Sequence, residues 1–223
     1  MLEVPPRVLE LERVLKWYAH LYFRIRKNFD GTVMMVKSLV GRFGTPPPEV
    51  GEYLDMCGEN YGIIRELLGS AASEHPVFVN HLSRIKGVTP FLAGLLLGIM
   101  PARRFPTVSA LWKYCRLDPG ARKRVARSRS LRKENKAGHV AHLIAVALVY
   151  AKSRYAEFYE RFFEEEMERT ANFEKAKARA YRRLKKLFLA HYFVKYYEEF
   201  GGRPPLPYIV ERGRRRYIPP IVD

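Results

Sequence analysis

Apolar side chains recur at helical spacing over most of the chain. Leu11, Val14, Leu15, Tyr18, Leu21, Tyr22 and Ile25 fall three or four apart, which predicts a helix over 9–28 that stops at Asp30-Gly31. A second helix is predicted over 32–43. Past the stiff Pro46-Pro47-Pro48 run, a third is predicted over 49–69, with Val50, Tyr53, Leu54, Cys57, Tyr61, Ile64 and Leu68 on one side. Short helices are expected from Glu74 to Leu117. Residues 138–168 read as one long helix, apolar from Val140 to Tyr150 and acidic from Glu157 to Glu168. Another spans 172–200, striped by Phe173, Ala176, Ala180, Leu184, Leu187, His191, Val194 and Tyr197. A helix that is apolar all round belongs at the centre of a domain. In the tail, Tyr208–Glu211 and Arg214–Ile218 suit a small β-hairpin around Arg212-Gly213, or an extended arm. The expected fold class is all-α. It comprises a helical stalk (1–73), a helical domain (74–202) with two long C-terminal helices, and a Pro/Arg-rich arm (203–223).

The most apolar stretch is Leu82 to Met100, LSRIKGVTPFLAGLLLGIM. From Pro90 onward it offers about a dozen apolar residues, whereas a bilayer-spanning helix needs roughly 20. No membrane is implied. Its first half carries turn chemistry instead. Gly87 can take positive φ, Thr89 is a natural N-cap, and Pro90 is a natural first helical residue. The N-terminus of the helix that follows favours an anion, and Lys86 sits beside it. The stretch resembles the helix-hairpin-helix motif of sequence-independent DNA-binding proteins. Gly87, Val88, Pro90 and Ala93 fit the motif; Lys86 replaces its usual Pro and Thr89 its second Gly. Lys86, Gly87, Val88 and Thr89 are therefore candidate phosphate contacts.

Charge gives these candidates a context. The chain carries 40 Lys and Arg against 23 Asp and Glu, a formal net charge of +17, which attracts polyanions. The excess clusters in ARKRVARSRSLRKENK, where Arg122, Lys123, Arg124, Arg127, Arg129, Arg132, Lys133 and Lys136 face a single acid, Glu134. Local partners cannot neutralise that density, and it would release counterions on meeting a phosphate backbone. Arg103-Arg104, Arg182-Arg183 with Lys185-Lys186, and Arg212 with Arg214-Arg215-Arg216 add smaller patches. The run Glu164-Glu165-Glu166 would repel nucleic acid and is expected to meet one of those patches instead.

The N-terminus carries Pro5, Pro6 and acidic residues where a secretory leader needs a basic and then apolar stretch. Cys57 and Cys115 stand far apart. A cytoplasmic location is the expectation, nucleoid-associated if the ligand is DNA. The absence of Gln and the abundance of Arg fit a thermophilic source.

A larger pattern joins these pieces. HPVFVNHLSRIKGVTPFLAGLLLGIMPARRFPTVSALWKYCRLDP, the basic stretch, NKAGHVAHLIAVALVYAKSRYAEFYERF and KAKARAYRRLKKLFLAHYFVKYYEEFGG together resemble the C-terminal domain of transposases of the insertion-sequence 110/116/902 family. The resemblance covers roughly 75–200 and is most specific in RRFPTVSALWKYCRL. It implies a DNA-binding helical domain that in full-length relatives follows a RuvC-like nuclease domain and a helical stalk, and supplies a serine nucleophile. Residues 1–75 here read as stalk only. The position of the family's nucleophile falls near Arg124–Ala126, where there is no serine; Ser128 and Ser130 are the nearest, in Arg-Ser-Arg-Ser, with no identifiable base to activate them.

The first reading is therefore a non-catalytic, sequence-tolerant nucleic-acid binder that prefers double-stranded DNA. A recombinase subunit using Ser128 or Ser130 is the second, and a structured-RNA or ribosome binder the third. No cofactor or metal is called for. His139 and His142 stand one turn apart but have no nameable third ligand. The N-terminal helices could pair with another chain as a homodimer; their aromatics, including Trp17, Tyr18, Tyr22 and Phe23, fit either an intramolecular core or a dimer interface.

Overall fold

The computed structural model describes residues 2–118, 120–121, 135–205 and 218–221. Among them the protein is all-helical, as expected. The α-helices are α1 (Pro6–Phe43), α2 (Pro48–Ser73), α3 (Pro76–Asn80), α4 (Pro90–Ile99), α5 (Val108–Tyr114), α6 (Lys136–Tyr150), α7 (Arg154–Thr170) and α8 (Phe173–Glu199). Short 3₁₀ turns at Leu82–Arg84 and Ala102–Arg104 flank α4. No described helix is long and apolar enough to cross a membrane. The tail hairpin expected over 208–218 lies, except for Ile218, outside the described residues.

Two helix boundaries differ from expectation. α1 runs through Asp30-Gly31 without a break. Half-buried Ile25, Phe29, Thr32, Val33 and Val36 keep helical spacing across the glycine; Ile25, Phe29 and Thr32 line a cavity with Tyr53, Cys57 and Asn60 of α2, and Phe29 stacks on Tyr61 at 6.1 Å. That packing outweighs the ~1 kcal/mol helix penalty of one glycine. Conversely, the stretch expected as one helix over 138–168 is two helices, α6 and α7. Lys152 turns left-handed at φ 51°. The N–H of Ser153 donates to the Leu148 carbonyl at 3.1 Å and that of Lys152 to Val149 at 3.1 Å, which is a Schellman closure. The Ser153 hydroxyl donates to Leu148 as well, at 3.0 Å.

Helix α4 sits at the centre. Leu92 through Ile99 are all buried, and fully burying each leucine contributes ~1.5–3 kcal/mol. Two glycines one turn apart let it reach neighbouring backbones. A Cβ on Gly94 would lie 2.6 Å from the Leu68 carbonyl oxygen of α2, and one on Gly98 would press into the Leu15 carbonyl of α1. The same hydrophobic cluster continues through Val140, Ile144 and Leu148 of α6 and Leu184, Phe188 and Tyr192 of α8. The Tyr192 hydroxyl donates to the Met100 carbonyl at 2.9 Å, fixing the end of α4 to α8.

The halves of α1 and α2 near Leu15 and Leu68 belong to this core. Their far halves do not. Met34, Met35, Leu39, Phe43, Tyr53 and Met56 are all exposed, so the pair projects as a two-helix stalk.

Buried polar groups cross-link the helices. Glu12 of α1 accepts from Arg103 and from the Tyr196 hydroxyl, and buried His75 points Nε2 at it from 3.7 Å. On α8, His191 Nε2 lies 2.9 Å from the Ile218 carbonyl, which can only accept, so Nε2 carries the proton. Its Nδ1 then accepts from the Tyr155 hydroxyl at 2.8 Å. These bonds hold the segment 218–221 against α8.

Two predictions follow from this packing. Gly98→Ala is expected to lower stability by about 1–3 kcal/mol through overpacking, whereas Gly51→Ala, with open space at its Cβ, is expected to raise it by about 0.5–1 kcal/mol; urea unfolding midpoints measure both. Burial holds the His191 pKa down from 6.5 to about 4. The unfolded chain therefore takes up this proton first, and the contribution, present above pH 6.5, is lost as pH falls toward 4. Its full size is on the order of 3 kcal/mol. Comparing the pH dependence of unfolding between the native chain and His191→Gln isolates it.

Candidate nucleic-acid interface

The hairpin before α4 forms as its residues dictate. The Val88 N–H donates to the Ile85 carbonyl at 3.0 Å and Gly87 sits at φ 94°, which is a type II turn with glycine at its third position. Thr89 is the N-cap, its hydroxyl accepting from Leu92 N–H at 3.3 Å. Lys86, Thr89 and Pro90 are exposed, and Val88 is buried. Gly87 has a second reason to be glycine. Its missing Cβ would lie 2.7 Å from the Ala147 carbonyl and 2.9 Å from the Ala151 side chain, so the turn seats directly on the C-terminal end of α6.

In the first turn of α4, Pro90 has no N–H, Leu92 N–H is capped, and Ala93 N–H reaches the Thr89 carbonyl at 3.0 Å. Phe91, between Pro90 and Leu92, is half-buried. α2 crosses close by: a Cβ on Gly69 would lie 3.6 Å from the Phe91 nitrogen. The same helix brings Arg65, whose guanidinium stands 4.8 Å above the Phe91 ring and 5.7 Å from that of Tyr61. Arg65 carries no signal in the sequence, because only the fold brings position 65 to the start of α4.

Of the basic stretch, Lys136 is described; Arg122, Lys123, Arg124, Arg127, Arg129, Arg132 and Lys133 lie outside the described residues, as do Ser128 and Ser130. Both ends of the segment are anchored. On the way in, Arg182 of α8 donates to the Leu117 carbonyl at 3.0 and 3.1 Å and to that of Asp118, and Ala121 is buried. On the way out, Asn135 caps α6 by accepting from Gly138 N–H at 3.2 Å, and donates to the Cys115 carbonyl at 3.1 Å.

Cations gather beside each anchor. Lys136 Nζ lies 3.4 Å from His20 Nδ1 of α1 and 5.2 Å from the Phe23 ring. Partial burial, then Lys136, Lys16 and Arg104, lower the His20 pKa. Arg26 hydrogen-bonds His139, which lies edge-on to Phe23. At the other anchor, burial and then Lys185 lower the pKa of His142, which packs edge-on to Tyr181. His139 and His142 thus serve different neighbours, and among the described residues no three His, Cys, Asp or Glu side chains gather as a metal site.

Several basic patches turn inward. Arg103 goes to buried Glu12 and Arg182 to backbone carbonyls. Arg183 takes Glu165 at 2.6 Å and Glu166 at 3.5 Å, and Arg179 reaches Glu166 at 3.3 Å. The acidic run therefore meets the α8 patch, as its sequence suggested. The Arg183 hydrogen bond holds the Glu165 carboxyl below its ordinary range. Arg212, Arg214, Arg215 and Arg216 lie outside the described residues.

No protein-family model, curated protein or solved structure matches this chain.

Proposed function

We propose that this protein is a non-catalytic, largely sequence-independent nucleic-acid-binding protein, with double-stranded DNA its preferred ligand, related to a transposase domain. One observation carries the reading. Exposed Arg65 and Lys86 stand at the α4 hairpin, and the two anchored ends bracket a segment whose sequence holds eight Arg and Lys against one acid, Glu134. The N-terminus of α4, Arg65 and exposed Lys86 would hold one phosphate. The segment Arg122 to Lys136 would track the backbone further along. The resemblance over 75–200 adds to this reading, and the lack of a base near Ser128 and Ser130 in the sequence favours binding over strand exchange.

The stalk supplies the assembly. Met34, Met35, Phe43 and Met56 are exposed on it, and its charges are split between the helices: Lys37 and Arg42 on α1, Glu49, Glu52, Asp55 and Glu59 on α2. A second copy laid antiparallel would bury these apolar side chains in a four-helix bundle and set basic α1 against acidic α2.

Binding to blunt duplex DNA is expected to weaken steeply with salt, and the Arg122/Lys123/Arg124 triple-Ala variant to lower the log K against log salt slope by about 2–3. A flat plot for the native chain sinks the reading. Tighter binding of structured RNA in direct competition favours the RNA alternative, and a covalent DNA adduct lost on Ser128→Ala or Ser130→Ala favours the recombinase. For the assembly, light scattering is expected to give a dimer mass for the native chain and a monomer mass for Met35→Glu/Phe43→Glu.

A further inference from the structure

The α1 face opposite the core holds a tryptophan that packing does not explain. Trp17 is 74% exposed and Leu21, one turn on, is 48% exposed, although Leu21 keeps the spacing of the apolar positions of α1. Trp112, by contrast, is half-buried, its indole N–H donating to the Lys186 carbonyl at 3.1 Å with the Lys186 ammonium 5.1 Å from its ring. Leaving an indole in water forfeits the burial free energy of the largest side chain.

The surroundings of Trp17 are cationic. At helical spacing Arg13, Lys16, His20, Arg24 and Lys27 share its arc of α1 and are exposed. The acid on that arc, Glu10, is taken by Arg13 at 3.0 Å. Neighbouring elements add charge of the same sign: Lys136 of α6 contacts His20, and Arg104 acts on it from the turn after α4. A second copy of this chain suits the arc poorly, since two-fold pairing would set Lys16, Arg24 and Lys27 against their own equivalents.

An exposed indole ringed by cations matches the chemistry of single-stranded nucleic-acid recognition, where aromatic faces stack on bases and cations hold the flanking phosphates. A base inside a duplex has both faces covered by its neighbours, so a ring on a convex helix meets a base face only where pairing is open. We propose that the Trp17 face, with Lys16, His20, Arg24, Lys136 and Arg104, is a second nucleic-acid contact that takes an unpaired base. The inference rests on the nucleic-acid reading above and names the part of the ligand that reading leaves open: an unpaired strand, at an end or a melted junction, next to the duplex.

The test compares three ligands of equal length: a thymidine oligomer, an abasic oligomer with the same phosphates, and a blunt duplex. In Trp112→Phe the emission comes from Trp17 alone, because the chain has two tryptophans. The thymidine oligomer is expected to quench that emission and the abasic strand to leave it unchanged. By anisotropy of labelled strands on the otherwise native chain, thymidine is expected to bind about tenfold tighter than the abasic strand. Trp17→Ala should erase that difference, Trp17→Phe should keep most of it, and duplex affinity should change less than twofold. Equal binding of thymidine and abasic strands without quenching, while the duplex still binds with its salt dependence, overturns this inference and leaves the duplex reading standing. Failure of all three ligands to bind overturns both.

Discussion

The close approach of α4 to α1 and α2 is the constraint on which the rest depends. Gly94 and Gly98 remove the side chains that would hold three backbones apart, and the intervening Leu95, Leu96 and Leu97 are then wholly buried. A helix enclosed in this way has no solvent face, so its N-terminus is its route to the surface. That end is where Thr89, Pro90 and Lys86 stand. The packing that stabilises the centre therefore also fixes where an anion would be met. Gly69 on α2 and the end of α6 under Gly87 hold that position from two further sides.

Charge follows a division of labour between interior and exterior. A buried carboxylate such as Glu12 is costly without partners, and it has Arg103, Tyr196 and a nearby His75. Its negative field also raises the pKa of Tyr196, second to burial. Glu166, nearly buried, is ringed by Arg169, Arg179 and Arg183. Each of these pairs neutralises an arginine along with its acid, so the +17 net charge stands on the remaining excess of Lys and Arg. A basic dipeptide in the sequence can therefore contribute one structural and one exposed cation. Arg103 and Arg104 divide in that way.

Local signals made part of this legible in the sequence. The start of α4 was, since Thr89, Pro90 and Gly87 each have a conformational reason confined to a few residues, and the all-α class followed from spacing alone. The break at 151–153 was not, because Lys152, rather than a glycine, takes the left-handed position; the cost of that conformation is offset by the Leu148 and Val149 carbonyls it satisfies. Continuity through Gly31 was missed for the opposite reason: a strong local stop signal lost to packing against α2. Arg65 and the Lys136–His20 contact join positions far apart in the chain, and no pattern in a single sequence encodes such a meeting.

The anchors of the Arg/Lys segment tie its two ends to the helices that also carry the hairpin. Arg182 fixes the entry against α8, and Asn135 fixes the exit at the N-terminus of α6. The other end of α6 is the seat of Gly87, so one helix of 15 residues separates the hairpin from the segment, a span of about 22 Å at 1.5 Å per residue. Phosphates on one strand of B-DNA advance about 3.4 Å per nucleotide along the axis, so on the proposed reading the hairpin and the exit of the segment would meet phosphates some six or seven nucleotides apart. A rigid spacing of this size suits a regular backbone and imposes no demand on base sequence. A flexible ligand would gain less from it, since it would have to be ordered to meet both points, and that difference is the physical ground on which the proposed reading puts duplex DNA first.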